Sequence, residues 1–198
     1  MEQLIIKKFG FIDEKNYNAG QPTNIDQDNA LYNRWLLTVL ITETLAFGAD
    51  GCIFWMKHTR PGSWSDGEIS RGFREKILSP CQTLNEHIAL ADSAFPVSGD
   101  MKGKIVTPLK RETWERAIND GEDGVRIATV NYAVISIRQA AGWGIREVEK
   151  CFRWLPLPLP YNPEVIRQRI MNICRLYSYR VRLKNISQIR NAFIPLVV

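Results

Sequence analysis

Asp13 and Asp92 each close a short apolar run, and two further strand-like runs lie between them. The first aspartate ends Gly10-Phe-Ile-Asp13. The second ends Ala89-Leu-Ala-Asp92 and is followed by Ser-Ala-Phe-Pro96. Acids that end neighbouring strands converge in space although they are far apart along the chain. This spacing therefore favours a fold whose sheet gathers carboxylates at one end.

Residues 9–13 read as the first strand. Residues 16–33 are polar, with Gly20, Pro22 and several Asn and Asp, and read as a loop or an irregular excursion. Residues 35–47 are rich in β-branched and aromatic side chains and read as a long buried strand. Asp50-Gly51 is a hairpin signal, and residues 52–56 form the return strand. After the turn at Pro61-Gly62, Ser65 or Asp66 can cap a helix reaching about Leu78, with capping the expected role of Asp66. Residues 87–91 and 105–107 give a fourth and a possible fifth strand, and residues 112–118 a helix. Val134, Ile137, Ala141, Ile145, Val148, Phe152 and Leu155 recur at spacings of three and four, one apolar face of a long helix that Pro156, Pro158 and Pro160 end. Asn162-Pro163-Glu164 starts another, with Ile166, Ile170, Ile173, Tyr177 and Val181 on its buried face. The fold class is α/β: a mixed sheet, with a three-stranded antiparallel meander plus further strands, flanked by helices. Residues 1–198 suit one domain.

Composition narrows the chemistry. Cys52, Cys81, Cys151 and Cys174 form no Cys-x-x-Cys pair, and His58 and His87 stand near no suitable cysteines, which argues against zinc and for free thiols. No run is long and apolar enough to span a membrane, so an intracellular soluble protein is expected. The net charge of +5 is unevenly spread. Arg167, Arg169, Arg175, Arg180, Arg182, Lys184 and Arg190 follow Val165 with no acid among them, while the preceding residues nearly balance. A near-neutral body with a basic end fits contact with a polyanion, or an arginine-rich solvated helix face.

Phosphodiester cleavage needs an activated water and a stabilised leaving oxygen. Two divalent ions about 3.5–4 Å apart can supply both. Such ions, Mg2+ or Mn2+, take hard oxygen ligands, so Asp13 and Asp92 are candidate catalytic and metal-binding residues, although an aspartate after an apolar run is more often a turn former or a cap.

Several motifs, in order, resemble the DDE superfamily endonuclease domain of Harbinger-type transposases. Gly-Phe-Ile-Asp13-Glu-Lys-Asn16 is similar to the first-aspartate motif, and Phe47-Gly-Ala-Asp-Gly51 to the hairpin of the meander. Pro61-Gly-Ser-Trp-Ser-Asp66 is similar to the Pro-Gly-Ser motif with its following acid. Asp92-Ser-Ala-Phe-Pro96 is similar to the second-aspartate motif, and Thr107-Pro-Leu-Lys110 follows it. Asn131 and Ser136-Ile-Arg138 open the helix that delivers the third acid, and Ile173-Cys-Arg-Leu-Tyr-Ser-Tyr-Arg180 completes the pattern. The resemblance implies a ribonuclease H-like fold, metal held by Asp13 and Asp92, a DNA substrate and a nuclear location.

The chain departs from that family at the third acid. The family's glutamate follows the motif arginine by four residues, where this chain has Gly142. Glu147 and Glu149 are nearby but weak substitutes. Glu149 returns to the same helix face roughly 10 Å further along the axis, and Glu147 lies about 140° round it. The family's helical DNA-binding segment, which precedes the catalytic core, is also expected to be absent. The resulting expectation is a transposase-derived endonuclease domain, impaired at its third ligand, that meets DNA through Arg167, Arg169, Arg175, Arg180, Arg182 and Lys184. The alternative is a non-catalytic DNA-binding or protein-interaction module on the same fold.

Overall fold

The computed structural model describes residues 8–64, 66–83, 87–95, 97, 99–118, 122–160 and 162–193. Side-chain alternation explains its layers. Strand β1 (Lys8–Asn18) turns Phe11 to one face of the sheet and Ile12 to the other, because successive strand side chains point oppositely. Strand β3 (Thr38–Gly48) does the same: Ile41, Leu45 and Phe47 join Phe11, while Ala46 joins Ile12. Each face therefore needs its own cover.

β1 pairs antiparallel with β3, and β3 with β4 (Ile53–Pro61). On its other side β1 pairs in parallel with β5 (Ile88–Leu90), and β5 with β6 (Ile105–Val106). The strand order is thus β4-β3-β1-β5-β6, with the two-residue β2 (Tyr32–Asn33) joined to the start of β3. This is a mixed α/β sheet of the ribonuclease H-like kind, as expected. Gly51, with φ of 80°, makes the turn between β3 and β4 in a left-handed conformation that suits glycine.

Among the described residues, seven α-helices follow from local signals around this sheet. Asn24 caps α1 (Ile25–Leu31), accepting hydrogen bonds from the Asp26 and Gln27 amides. A short α2 (Asp66–Ile69) precedes α3 (Arg71–Leu78), whose Phe73 and Ile77 cover the Ile12 face. α4 (Arg111–Ile118) leads to the long α5 (Glu122–Cys151). Asn162 caps α6 (Pro163–Lys184), accepting from the amides of Glu164 and Val165. α5 and α6 cover the Phe11 face with Val134, Ile137, Ala141, Ile145, Val148, Ile170 and Tyr177. A final α7 (Gln188–Phe193) packs on α5 through Ile189.

The structure revises three local expectations. The polar stretch after residue 16 is not all loop: β1 continues to Asn18, and α1 follows. Trp35, Leu36 and Leu37 do not belong to the buried strand; they form an exposed turn before β3, with Leu37 at φ of 52°. The Asn33 carboxamide oxygen accepts from the amides of Trp35 and Leu36, and this capture outcompetes the strand ladder. The long helix stops at Cys151, before the prolines, and turns carry the chain through Leu155. The side chain of Asp66, and Ser65, lie outside the described residues, so the capping expectation there does too.

Candidate active site

Register brings the two aspartates together. Phe11 and Leu90 are paired across β1 and β5. Asp13 and Asp92 each lie two residues beyond that pair, so both share the face of Phe11 and Leu90, beneath α5. Glu14 takes the opposite parity, and the Thr44 hydroxyl donates to its Oε1.

The two carboxylates are held alike. Asp13 Oδ1 accepts from the following amide, Glu14, at 3.0 Å, and Asp92 Oδ1 accepts from the Ser93 amide at 2.6 Å. Each Oδ2 then turns to the same group: Arg138 Nη1 of α5 stands 4.0 Å from Asp13 Oδ2 and 3.7 Å from Asp92 Oδ2. These are loose ion pairs, longer than charge-assisted hydrogen bonds. Burial raises the Asp13 pKa above its ordinary 3.8; the Glu14 amide and Arg138 oppose that rise, and the charge of Asp92 adds to it. Two like charges converge in a half-buried place and are incompletely neutralised. That donor chemistry fits a hard cation, which the two Oδ2 atoms could hold.

Gly142 follows Arg138 by one helical turn. A Cβ built on it would meet nothing within 4 Å, so the position expected to carry a third acid opens onto free space. Neither nearby glutamate fills it. Glu147 is buried on another side of α5; the Tyr177 hydroxyl donates to its Oε2 at 3.0 Å and the Gln188 amide at 3.1 Å, with Arg180 at 3.8 Å from Oε1. Glu149 pairs with Lys15 at 2.9 Å. Both suggested substitutes are thus committed elsewhere. Among the described residues, no group of three His, Cys, Asp or Glu side chains could hold a metal ion.

The positioning of α5 has its own device. The Asn131 carboxamide accepts from the Leu109 amide at 2.8 Å and ties the loop after β6 to the helix before Arg138. Two groups on this face escaped sequence reasoning. Arg138 looked only like a counting mark, since a helical arginine has no signature of its own. Glu43, fully buried, is the cross-strand partner of Lys15; both keep the parity of Asp13, a signal that was available once the register was known.

The model for the DDE superfamily endonuclease family matches residues 12–178, which include both aspartates and Gly142. The chain belongs to the DDE superfamily endonucleases. Nothing among the curated proteins or the solved structures matches it. Endonucleases of this superfamily generally use divalent metals, and DNA is the substrate the family implies. No helix among the described residues is long and apolar enough to cross a membrane.

In this DDE endonuclease the proposed basic helix lies to one side of the aspartates. α6 packs on β4, with β3 between β4 and β1. Of its expected DNA-contacting residues, Arg167 is bound by Glu164 at 2.6 and 2.9 Å and Arg180 approaches Glu147. Arg169, Arg175, Arg182 and Lys184 are exposed.

Proposed function

We propose that this chain is a transposase-derived, Harbinger-type DNA endonuclease domain whose metal site keeps two ligands, Asp13 and Asp92, and lacks the third at Gly142. The observation that carries this reading is the shared register: both carboxylates stand two residues past one strand pair and turn an oxygen to one arginine. A bound Mg2+ or Mn2+ would activate water and stabilise the leaving oxygen. The chain's own contribution is orientation. The Glu14 and Ser93 amides fix the Oδ1 atoms so that the Oδ2 atoms face the cation position. Arg138 offsets the repulsion between the carboxylates and offers a cationic group to a scissile phosphate. The exposed Arg169, Arg175, Arg182 and Lys184 contact backbone phosphates, which position DNA without reading its sequence. With one ligand missing, cleavage by this copy is weak or absent, and a nuclear location is what the Harbinger-type resemblance implies.

The test is nicking of supercoiled plasmid with Mg2+ or Mn2+, comparing the parent, Asp92→Asn and Gly142→Glu. The parent is expected to be inactive or very weak, Asp92→Asn no better, and Gly142→Glu clearly more active. A parent that nicks efficiently and is unaffected by Asp92→Asn would overturn the reading. Metal-independent DNA binding with no nicking by Gly142→Glu would favour the second reading, a non-catalytic DNA-binding module.

A further inference from the structure

The exposed turn before β3 is costly to maintain. Trp35 is 91% exposed and Leu37 holds a left-handed conformation. Yet the turn is tightly built. Asn33 accepts from the amides of Trp35 and Leu36, and its side-chain nitrogen donates to the Gly62 carbonyl at 2.6 Å. The Ser63 hydroxyl donates to the Ala30 carbonyl at 2.7 Å. Three segments, the end of α1, the turn at residues 34–37 and the turn at residues 61–64, are thereby locked together. They enclose a notch of about 800 Å3, with Trp35 and Trp64 among its walls and Arg34 beside them.

A basic cleft adjoins this notch. The Arg60 guanidinium lies over the Trp64 ring, 4.9 Å from its centroid, and also lines a second cavity with Lys57, His58 and Arg167. Burial and Arg60 push Lys57 below its ordinary pKa against the pull of Glu75, and burial with Arg167, Lys57 and Arg60 does the same to His58 against Glu164. Glu164 is the acid in this cleft, and Arg167 and Gln168 already hold it. Basic side chains therefore lead along β4, an edge strand, to two presented indole rings.

We infer that this track binds an unpaired DNA strand, its phosphates along Lys57, Arg60 and Arg34 and a base stacked at Trp35 and Trp64. Flat aromatic faces set in a basic groove are the means by which proteins hold single strands, since every base has a π-face to stack. The notch admits a ring and its sugar; it is too small for a double helix, whose bases are stacked on one another. A second copy of this chain is the less favourable occupant, because like-charged arginines would face each other. β1 runs from Asp13 toward this end of the sheet, and Ala19 beyond Asn18 bonds the Val39 carbonyl. The indole notch thus lies some 17 Å past the carboxylates, at about 3.4 Å per residue from Asp13 to Asn18, while Lys57, paired with Thr44 opposite Glu14, starts the track level with them two strands away. The inference rests on the DNA endonuclease reading and assigns it a separate subsite.

The experiment is fluorescence anisotropy of the full chain at one fixed low salt, with labelled short oligo-dT and, separately, a labelled blunt duplex. Trp35→Ala and Trp64→Ala are expected to weaken oligo-dT binding by about tenfold or more each, while duplex binding changes less than twofold. Both rings are exposed, and circular dichroism verifies that the variants fold. Unchanged oligo-dT affinity in both variants overturns the inference, as does a parent that binds duplex but not oligo-dT; in that case the endonuclease reading survives. A parent that binds neither DNA sinks both. Sedimentation that turns a dimer into a monomer on Trp35→Ala, with oligo-dT affinity intact, assigns the turn to self-association and overturns the inference too.

Discussion

Two acidic sites meet α5, Glu147 on the helix itself and the pair Asp13 and Asp92 beneath it, and they are satisfied very differently. Glu147 receives hydrogen bonds from Tyr177 and the Gln188 amide, with Arg180 nearby, and ties α6 and α7 to the core helix. About 13 Å back along the axis, at 1.5 Å per residue, Arg138 spans Asp13 and Asp92 at ion-pair distances, the one cation to do so among the described residues. The glycines between repeat the contrast. A Cβ on Gly144 would stand 2.7 Å from Phe47 Cε1, whereas one on Gly142 meets open space. One end of this segment is built for stability. The other keeps charges under-compensated and a position empty, which is how a site for an external cation differs from a structural ion pair.

The contrast can be broken by substitution, and the largest effect is expected at the structural end. Glu147→Ala leaves the buried Tyr177 hydroxyl and the Gln188 amide without their acceptor, and urea unfolding should show a loss of about 2–4 kcal/mol. An equally stable variant would mean that Glu147 anchors nothing. Gly144→Ala forces a methyl against Phe47 and Ile189 and should cost about 1–3 kcal/mol, seen as a lower unfolding temperature. The same substitution at Gly142 should act in the opposite direction, gaining about 0.5–1 kcal/mol from helix propensity alone. If both alanines destabilise alike, Gly142 is packed as closely as Gly144 and the contrast between the two ends is lost.

The subtlest effect is a pH dependence. Because burial, helped by Asp92, raises the folded Asp13 pKa above 3.8, the folded state holds that proton more tightly than the unfolded chain. The associated stability is fully present below pH 3.8 and is lost as pH rises through the folded value. Asp13→Asn should therefore be more stable than the parent at neutral pH, with the advantage fading on acidification toward pH 3.8. Thermal melts across this range check it; an advantage that grows in acid contradicts the assignment.

The sheet and both aspartates were legible because alternation and strand-ending acids leave a local mark. Phe11, Asp13, Leu90 and Asp92 carry their pairing in parity. The apolar run 35–47 misled because hydrophobicity cannot distinguish a buried strand from a turn held open by a polar side chain. Asn33 was the available clue, since asparagine captures following amides. Arg138 and Glu43 were invisible for a different reason: their meaning depends on register between distant elements. The commitment of Glu147 to Tyr177 and Gln188 likewise comes from residues far along the chain.

The central claim is that Asp13 and Asp92 together hold a divalent cation and that Gly142 marks its missing ligand. Calorimetric titration of Mn2+ into the parent, Asp13→Asn, Asp92→Asn and Gly142→Glu tests it most directly. The account predicts weak binding by the parent, none by either asparagine variant, and clearly tighter binding by Gly142→Glu. Parent binding that survives both asparagine substitutions, or a Gly142→Glu protein that binds Mn2+ no better than the parent, would contradict it.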